Sequence, residues 1–141
     1  MIGILLPSKP KPSHKIQTGP AQNAKDEHIP DGLAHVYREL EHTAKIGYWE
    51  WDANNDTLIS CSTGFAEIFN MTVEQVMKNI QTFEDDLKYV HPDDRDFYIN
   101  SVNSFREQSQ IDVQYRIITT DGKVKYVHER GIRFINKNGK A

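Results

Sequence analysis

The sequence predicts an α+β fold in which short helices cover one face of an antiparallel β-sheet. Apolar and polar residues alternate from Ile111 to Ile117, which is the two-residue period of a half-buried strand. Asp121-Gly122 then tolerates positive φ, so the chain can reverse in a tight hairpin and return as a second strand. Helical patterns and another hairpin precede this pair, whose apolar face needs such elements packed against it.

Length and composition limit the possible functions. The 141 residues suit one domain with one modest core. The net charge of −3 gives no electrostatic support for binding nucleic acid or an anionic membrane. Cys61 is the single cysteine, which excludes an internal disulfide framework and a cysteine-rich metal site. No apolar run approaches the roughly 20 residues that cross a bilayer, so the expected location is the cytoplasm.

Residues 1–30 are predicted to be a flexible leader. Prolines recur between residues 7 and 30 among polar residues, so this segment cannot bury enough apolar surface to offset its ordering. The apolar run Met1–Leu6 has no basic flank and is too short for the core of a signal peptide.

Residues 31–46 are predicted to form an amphipathic helix. Asp31 is a typical N-cap, and Gly47 is expected to end the helix. The apolar residues recur at helical spacing and form one stripe, which consists of Leu33, Val36, Tyr37, Leu40 and Ala44. A helix of this length is not stable as a coiled coil alone, so it must dock on another surface.

A first hairpin is predicted next. Tyr48–Asp52 is rich in strand-forming residues, residues 54–56 make a turn, and Thr57–Cys61 returns as a second strand. Trp49 and Trp51 share one face of the first strand, and we interpret them as core residues.

Short helices and one longer helix are expected to follow. The short ones lie at residues 65–69, 72–78 and 83–90, and Thr72 and Gln75 have the spacing of a capping box. His91-Pro92-Asp93-Asp94 opens the longer helix, because proline suits the first helical position and carboxylates suit the positive end of the helix dipole. Its inward stripe consists of Tyr98, Val102 and Phe105.

The order of these elements resembles a PAS domain, in particular the group with a carboxy-terminal PAC motif. The resemblance spans residues 46–141 and depends on several short motifs that occur in the expected order. These motifs are Ile46–Asp52 on the first strand, His91–Asp94 before the long helix, and Tyr115-Arg116, Asp121-Gly122 and Tyr126-Val127 in the closing hairpin.

The resemblance implies a PAS domain over residues 47–141, with a five-stranded antiparallel sheet and a small cavity between the sheet and the helices. The cavity binds haem, flavin or metabolites in some members of the family and is empty in others. Such domains act as sensory or dimerisation modules that control a histidine kinase, a cyclic-dinucleotide enzyme or a transcription factor.

The sequence departs from the family pattern in two places. Tyr126 stands where this group often carries Trp. The fifth strand normally follows a turn that corresponds to residues 137–139, and we expect it to be truncated here. Its neighbours would then expose unpaired backbone groups. One hypothesis is that Met1–Leu6, or a partner chain, fills the gap, and the alternative is a truncated chain with a frayed carboxy terminus.

The pattern and the family positions together predict two sets of residues. The predicted ligand pocket consists of Ile59, Phe65, Ile68, Phe69, Tyr98, Val102, Val113, Tyr115, Tyr126 and His128. The predicted interface for a dimer or for the first helix consists of Leu33, Val36, Tyr37, Leu40, Ile118 and Val127.

Several residues invite a chemical role that the pattern does not support. Flavin-binding relatives that form a cysteinyl adduct carry their cysteine at the start of the long helix, whereas we interpret Cys61 as a small buried residue. Haem-binding relatives place a histidine inside the long helix, and residues 93–106 contain none. His35 and His42 lack a third ligand, and we interpret His128 as a hydrogen-bonded sheet residue that could also face the cavity.

No catalytic residue, metal site or particular cofactor is therefore predicted. The leading hypothesis is a non-enzymatic sensory module that binds a small ligand or forms a homodimer, and that controls a kinase or cyclase output domain in cis or in trans. The alternatives are a ligand-free interaction module and a small cone-shaped α+β enzyme, which would need a carboxylate or histidine pair in a polar pocket.

Overall fold

The computed structural model describes residues 2–7 and 31–133. The predicted turn at residues 137–139 and most of the predicted leader, residues 8–30, lie outside the described residues.

Five strands form one antiparallel sheet, which confirms the predicted α+β fold. The strands are β1 (Ile2–Pro7), β2 (Gly47–Asp52), β3 (Thr57–Cys61), β4 (Gln110–Ile118) and β5 (Val124–Ile132). Their order in the sheet is β3-β2-β1-β5-β4. The two predicted hairpins, β2–β3 and β4–β5, are therefore the two outer pairs of the sheet, and β1 joins them.

Strand β1 occupies the centre of the sheet. It pairs with β2 through residues 2–5 and with β5 through residues 2–7, antiparallel on both sides. The hypothesis that the amino-terminal apolar run fills a gap in the sheet is thereby confirmed for the described part of that run. The prediction of a flexible leader over residues 1–30 is wrong for Ile2–Pro7, because pairing on both edges satisfies the backbone donors and acceptors of this segment.

Gly3 and Leu5 lie on the inner face of β1, against the core. A Cβ built on Gly3 would lie 2.2 Å from Cε2 of Trp49, so a larger residue there would collide with the indole ring. Leu5 is 1% exposed and belongs to the core. The short apolar run therefore packs closely against the Trp49 ring at Gly3 and adds the Leu5 side chain to the core.

The helices are α1 (Asp31–Ala44), α2 (Thr63–Ile68), α3 (Val73–Asn79), α4 (Phe83–Leu87) and α5 (Arg95–Gln108). A 3-10 turn at Pro92–Asp94 precedes α5, so the long helix begins three residues later than the sequence predicts. The predicted capping box of Thr72 and Gln75 is confirmed at the start of α3. A second capping box, formed by Thr82 and Asp85, begins α4.

Lys45, and not Gly47, ends α1. Lys45 adopts a left-handed conformation with φ 53°, and the Ile46 N–H donates to the Glu41 carbonyl at 3.0 Å. Gly47 lies within β2, where a Cβ would lie 2.2 Å from the Phe65 backbone. The glycine is thus needed for the close packing of α2 on the sheet.

The core lies between the inner face of the sheet and the helices that follow β3. Trp49 and Trp51 are 7% and 8% exposed, which confirms their interpretation as core residues. Helix α1 lies at the border of this layer, where Glu41 accepts a hydrogen bond from the Gly64 N–H at 3.3 Å and His42 contacts Glu67 at 3.1 Å.

Candidate ligand cavity

Two small cavities of about 30 and 40 Å³ lie in the core beneath the sheet. Both cavities are lined by Trp49, Trp51, Asp86, Tyr98 and Glu129. These shared residues come from β2, α4, α5 and β5, so the site forms only when the sheet and both helices are assembled.

Two carboxyl groups and two tyrosines form a hydrogen-bonded cluster at this site. The Tyr98 hydroxyl donates to Oδ2 of Asp86 at 2.9 Å. The Tyr115 hydroxyl donates to Oε2 of Glu129 at 2.8 Å. The centroids of the two tyrosine rings are 4.4 Å apart, so the two hydrogen-bonded pairs are adjacent.

Burial changes the acidity of this cluster. Burial raises the pKa of Glu129 from its ordinary 4.5 to about 7, and the nearby charge of Asp86 adds to the effect. Burial also raises the pKa of Asp86 from 3.8 to about 6, although the hydrogen bond from Tyr98 opposes the shift. Burial raises the pKa of Tyr98 and Tyr115 as well, so both phenols remain donors.

The two carboxyl groups are not equally enclosed. Glu129 is 5% exposed, whereas Asp86 is a half-buried residue whose carboxyl end meets Tyr98 and lines both cavities. Both groups can therefore gain or lose a proton near neutral pH, and Glu129 does so in the less polar surroundings.

The two cavities differ in their remaining walls. The inner cavity is completed by apolar or aromatic residues and a tyrosine, namely Leu5, Leu58, Phe65, Phe69, Ile80 and Tyr115. The outer cavity is completed by Asp56, Phe83, Val102, Phe105 and Arg106. One end of the site is thus apolar, and the other end carries two further charged residues.

Asp56 and Arg106 lie where the outer cavity approaches the surface. Nη2 of Arg106 is 3.8 Å from Oδ1 of Asp56, and their side chains are 51% and 43% exposed. Nε1 of Trp51 also donates to Oδ1 of Asp56 at 3.2 Å. We refer to Asp56 and Arg106 as the mouth of the cavity.

The structure brings half of the predicted pocket residues to these cavities. The predicted residues that line them are Phe65, Phe69, Tyr98, Val102 and Tyr115. Ile68 is buried and lines a different groove, and Val113 is half-buried and packs against the core. Whether any of them contacts a ligand stays a prediction.

Three predicted pocket positions are corrected. Ile59 is 50% exposed and Tyr126 is 51% exposed, so neither faces the core. His128 lies on the outer face of the sheet, where its Nε2 is 2.6 Å from Oδ1 of Asp112.

The physical reason for two of these corrections is the register of the closing hairpin. Tyr115 is the partner of Val127, and Val113 is the partner of Glu129, and partners in an antiparallel pair point to the same face. Val127 is therefore buried, at 1% exposed, and its predicted place on an outer interface is wrong.

The remaining predicted interface residues are accessible. Ile118 is half-buried, on the face opposite to Ile117. The stripe of α1 is 45% to 55% exposed and consists of Leu33, Val36, Tyr37 and Leu40. Helix α1 does not bury these four residues against the described part of the sheet.

Asp86 and Glu129 are the site residues that the sequence analysis missed. The sequence analysis placed Tyr126 and His128 on the inward face of β5. Glu129 lies on the opposite face in that assignment, so it was not considered for the pocket. The hairpin turn was the available signal, because the position of Asp121-Gly122 fixes which residues of β4 and β5 are partners.

A larger groove of about 460 Å³ lies between α1, α2 and β5. Its walls include the charged or ionisable side chains of His42, Lys45, Glu67 and Lys125. Lys125 already donates to the Ile68 carbonyl at 2.8 Å. We place the candidate site in the smaller cavities because the buried carboxyl group of Glu129 lines both of them and accepts a hydrogen bond from Tyr115.

Other candidate groups have structural partners. Burial raises the pKa of Cys61 to about 11, so its thiol is not a nucleophile at neutral pH. His91 caps the 3-10 turn by accepting from the Asp93 N–H at 3.3 Å. Asp94 binds the Arg116 guanidinium at 2.9 Å and 2.5 Å. Within residues 2–7 and 31–133, no group of three potential ligands is arranged to hold a metal ion.

An antiparallel sheet of five strands with several short helices is the arrangement expected of a PAS fold. A protein-family model for the PAS fold matches residues 58–141, and the chain therefore belongs to this family. PAS domains are generally sensory and not catalytic.

A solved structure shows the same fold. It is described as a sensory box histidine kinase/response regulator from Burkholderia thailandensis E264, and it matches with a TM-score of 0.56 and 23% sequence identity. The match covers 74% of this chain and 75% of that chain. No curated protein matches the sequence. Among the described helices, none has the length and apolar character that a membrane span requires.

Proposed function

We propose that this chain is the sensory module of a signal-transduction protein and that its core cavities take a small ligand. The enclosed cluster of Asp86, Glu129, Tyr98 and Tyr115 is the observation that supports this proposal. Burying carboxyl groups is costly, and both show a raised pKa as a result. A protein that only needed a filled core would gain stability from apolar residues at these positions.

The signal is proposed to pass through the sheet to the output domain. Glu129 lies on β5, which pairs with the central strand β1, and Asp86 lies on α4. A ligand that contacts both residues would favour one relative position of the sheet and the helix over others. The output would be a kinase or cyclase domain in cis or in trans. The histidine kinase named in the similar structure supports a kinase as the output domain.

Dimerisation is the second part of the proposal. The exposed stripe of α1 forms an apolar surface that includes Leu33, Val36, Tyr37 and Leu40, each 45% to 55% exposed. A contiguous apolar stripe of this kind is typical of an interface. We propose that it packs against the same helix of a second copy. The alternative, a ligand-free interaction module, rests on the same stripe and on the small size of the cavities.

An enzyme of the cone-shaped α+β type has less support. The structure supplies the carboxylate pair that such an enzyme needs, but each carboxyl group accepts a tyrosine hydroxyl, and the cavities hold only about 30 and 40 Å³. A substrate of ordinary metabolite size does not fit there.

Native mass spectrometry and light scattering of the purified chain test the proposal. A sensory module is expected to retain or bind a small molecule in the cavity, or to form a dimer that Leu40→Glu disrupts. Leu40→Glu places a charge on the stripe, and Glu39→Ala on the same helix is the matched control. A chain that stays monomeric and ligand-free under all conditions contradicts the proposal.

A further inference from the structure

The lining of the two cavities carries an excess of negative charge. Three carboxyl groups line them, from Asp56, Asp86 and Glu129, and among the described lining residues Arg106 is the one cation. Arg106 already faces Asp56 at the mouth, with 3.8 Å between Nη2 and Oδ1. The two inner carboxyl groups therefore lack a compensating cation of their own in the cavity lining.

The inner carboxyl groups keep acceptor capacity for a ligand. A carboxylate has about four acceptor positions, and the tyrosine hydroxyls of Tyr98 and Tyr115 supply one donor to each. A buried carboxylate is stable when it is paired with a cation or protonated. Without a cation, each carboxyl group avoids a buried charge by keeping its proton. This agrees with the raised pKa values of Asp86 and Glu129 described above.

Aromatic rings complete the surroundings. Trp49 and Trp51 line both cavities, and the adjacent rings of Tyr98 and Tyr115 carry the hydroxyl groups that donate to the two carboxyl groups. Aromatic faces attract an ammonium group, and indole does so best. The apolar walls of the inner cavity, which include Leu5 and Leu58, suit an alkyl group.

The volumes limit the size of the ligand. A water molecule needs on the order of 10–15 Å³ of such space, so cavities of about 30 and 40 Å³ each hold a few heavy atoms. A short primary amine has the required size, one charged end and one apolar end. A hydrated metal ion lacks the apolar end, and a larger metabolite exceeds the space.

We propose that the cavity binds a short primary alkylamine in its ammonium form, with the ammonium group between Asp86 and Glu129 and the alkyl group in the inner cavity. This inference rests on the proposed sensory function and names its ligand class. Binding displaces a proton from the carboxyl pair to solvent, because the bound cation takes over the neutralising role of that proton. The ligand itself keeps its proton, so the charge of the site is balanced by the exchange.

The ionisable and charged groups that face Asp86 and Glu129 come from α5, from β4 and from the turn before β3. Tyr98 and Arg106 come from α5, Tyr115 comes from β4, and Asp56 precedes β3. Strands β1 to β3, helix α2 and the C-cap residues of α2 and α3 contribute the apolar and aromatic residues Leu5, Trp49, Trp51, Leu58, Phe65, Phe69 and Ile80. The proton exchange is therefore assigned to Asp86 and Glu129.

Titration calorimetry of the full chain with propylammonium is the direct test, with 1-propanol and potassium chloride as probes of the alkyl group and the charge alone. We expect saturable binding of propylammonium that is at least tenfold tighter at pH 8 than at pH 5.5. Measurements in two buffers of different ionisation enthalpy are expected to show net proton release near pH 6 and none at pH 8.5. Shifts of the Trp49 and Trp51 indole signals in NMR spectra locate the ligand.

Glu129→Gln keeps an acceptor for the Tyr115 hydroxyl while it removes the charge, and it is expected to weaken binding at least tenfold and to reduce proton release. Glu74→Gln, at an exposed position on α3, is the matched control and is expected to change neither. If Glu129→Gln does not fold by NMR, Asp86→Asn provides the same comparison.

Three outcomes overturn the inference. They are an absence of saturable propylammonium binding, equal binding of 1-propanol or potassium, and unchanged binding in a folded Glu129→Gln variant. Binding of 1-propanol in the cavity would leave the proposed sensory function intact, because that function requires a ligand but not a cation. A monomeric chain that binds no ligand of any kind would contradict both.

Discussion

The inner and outer faces of β5 place two ionisable neighbours in opposite surroundings. Glu129 is 5% exposed on the inner face and accepts a hydrogen bond from Tyr115 at 2.8 Å. His128 is on the outer face, where its side chain is 24% exposed and lies 2.6 Å from Asp112. Arg130, two residues further along the outer face, also contacts Asp112 at 3.1 Å.

The difference shows that burial raises the pKa of a carboxyl group even where its hydrogen-bond partner is neutral. Asp112 has two cationic or ionisable partners, yet it is 59% exposed, and solvent screens such pairs. Glu129 has a neutral partner, and its pKa is nevertheless raised to about 7 because it is buried. Burial therefore places the group with the raised pKa on the inner face of the strand.

The largest expected contrast between the faces lies on β1. Leu5→Ala is expected to lower the free energy of unfolding by about 2–5 kcal/mol, because Leu5 is fully buried and its loss leaves a cavity. Ile4→Ala on the outer face, where Ile4 is 46% exposed, is expected to cost about 1 kcal/mol or less. Urea denaturation measures both, and equal effects would show that β1 does not occupy the centre of the sheet.

A second contrast compares two tyrosines of the sheet. Tyr115→Phe removes the donor to buried Glu129 and is expected to destabilise the protein by about 1–3 kcal/mol at pH 8. The cost should be smaller at pH 5, where Glu129 is protonated. Tyr126→Phe, at a tyrosine that is 51% exposed, is expected to stay within about 0.5 kcal/mol at both pH values. A pH-independent cost of Tyr115→Phe would contradict the assigned ionisation.

The pH dependence of stability sharpens the comparison further. Because the pKa of Glu129 is raised from 4.5 to about 7, the folded state holds a proton that the unfolded state has released in this window. The free energy of unfolding should therefore fall as pH rises from about 4.5 through 7, by on the order of 1–3 kcal/mol. Asp86 contributes in the same direction between 3.8 and about 6.

Glu129→Gln is expected to remove most of this slope. Denaturant titrations at half-unit pH intervals measure the slope. A wild-type stability that rises with pH over this window would show that Glu129 is ionised throughout.

Another small effect is expected at the ion pair on the outer face. His128→Ala is expected to cost less than about 1 kcal/mol at pH 6, because a partly exposed pair with Asp112 is weakened by solvent. The cost should decrease further in 1 M salt, where the Debye length is about 3 Å. A larger cost that does not depend on salt would show that solvent does not screen His128, and that it is effectively buried like Glu129.

Local patterns predicted most of the elements. The Thr72–Gln75 capping box, the alternation in β4 and the turn at Asp121-Gly122 depend on residues that are close in the chain, and the structure contains all three. The long helix begins after a 3-10 turn, at whose end Asp94 binds Arg116, a contact over 22 residues. No local rule contains such a contact.

By itself, the sequence determined the α+β class, the two hairpins, the amphipathic character of α1 and the burial of Trp49 and Trp51. These follow from periodicity and turn chemistry, which act over a few residues. The tertiary structure decided that Ile2–Pro7 is the central strand and that Asp86 meets Glu129 in one cavity. Both depend on pairing and packing between distant segments, and burial, the physical cause of the raised pKa values, exists only once those segments are assembled.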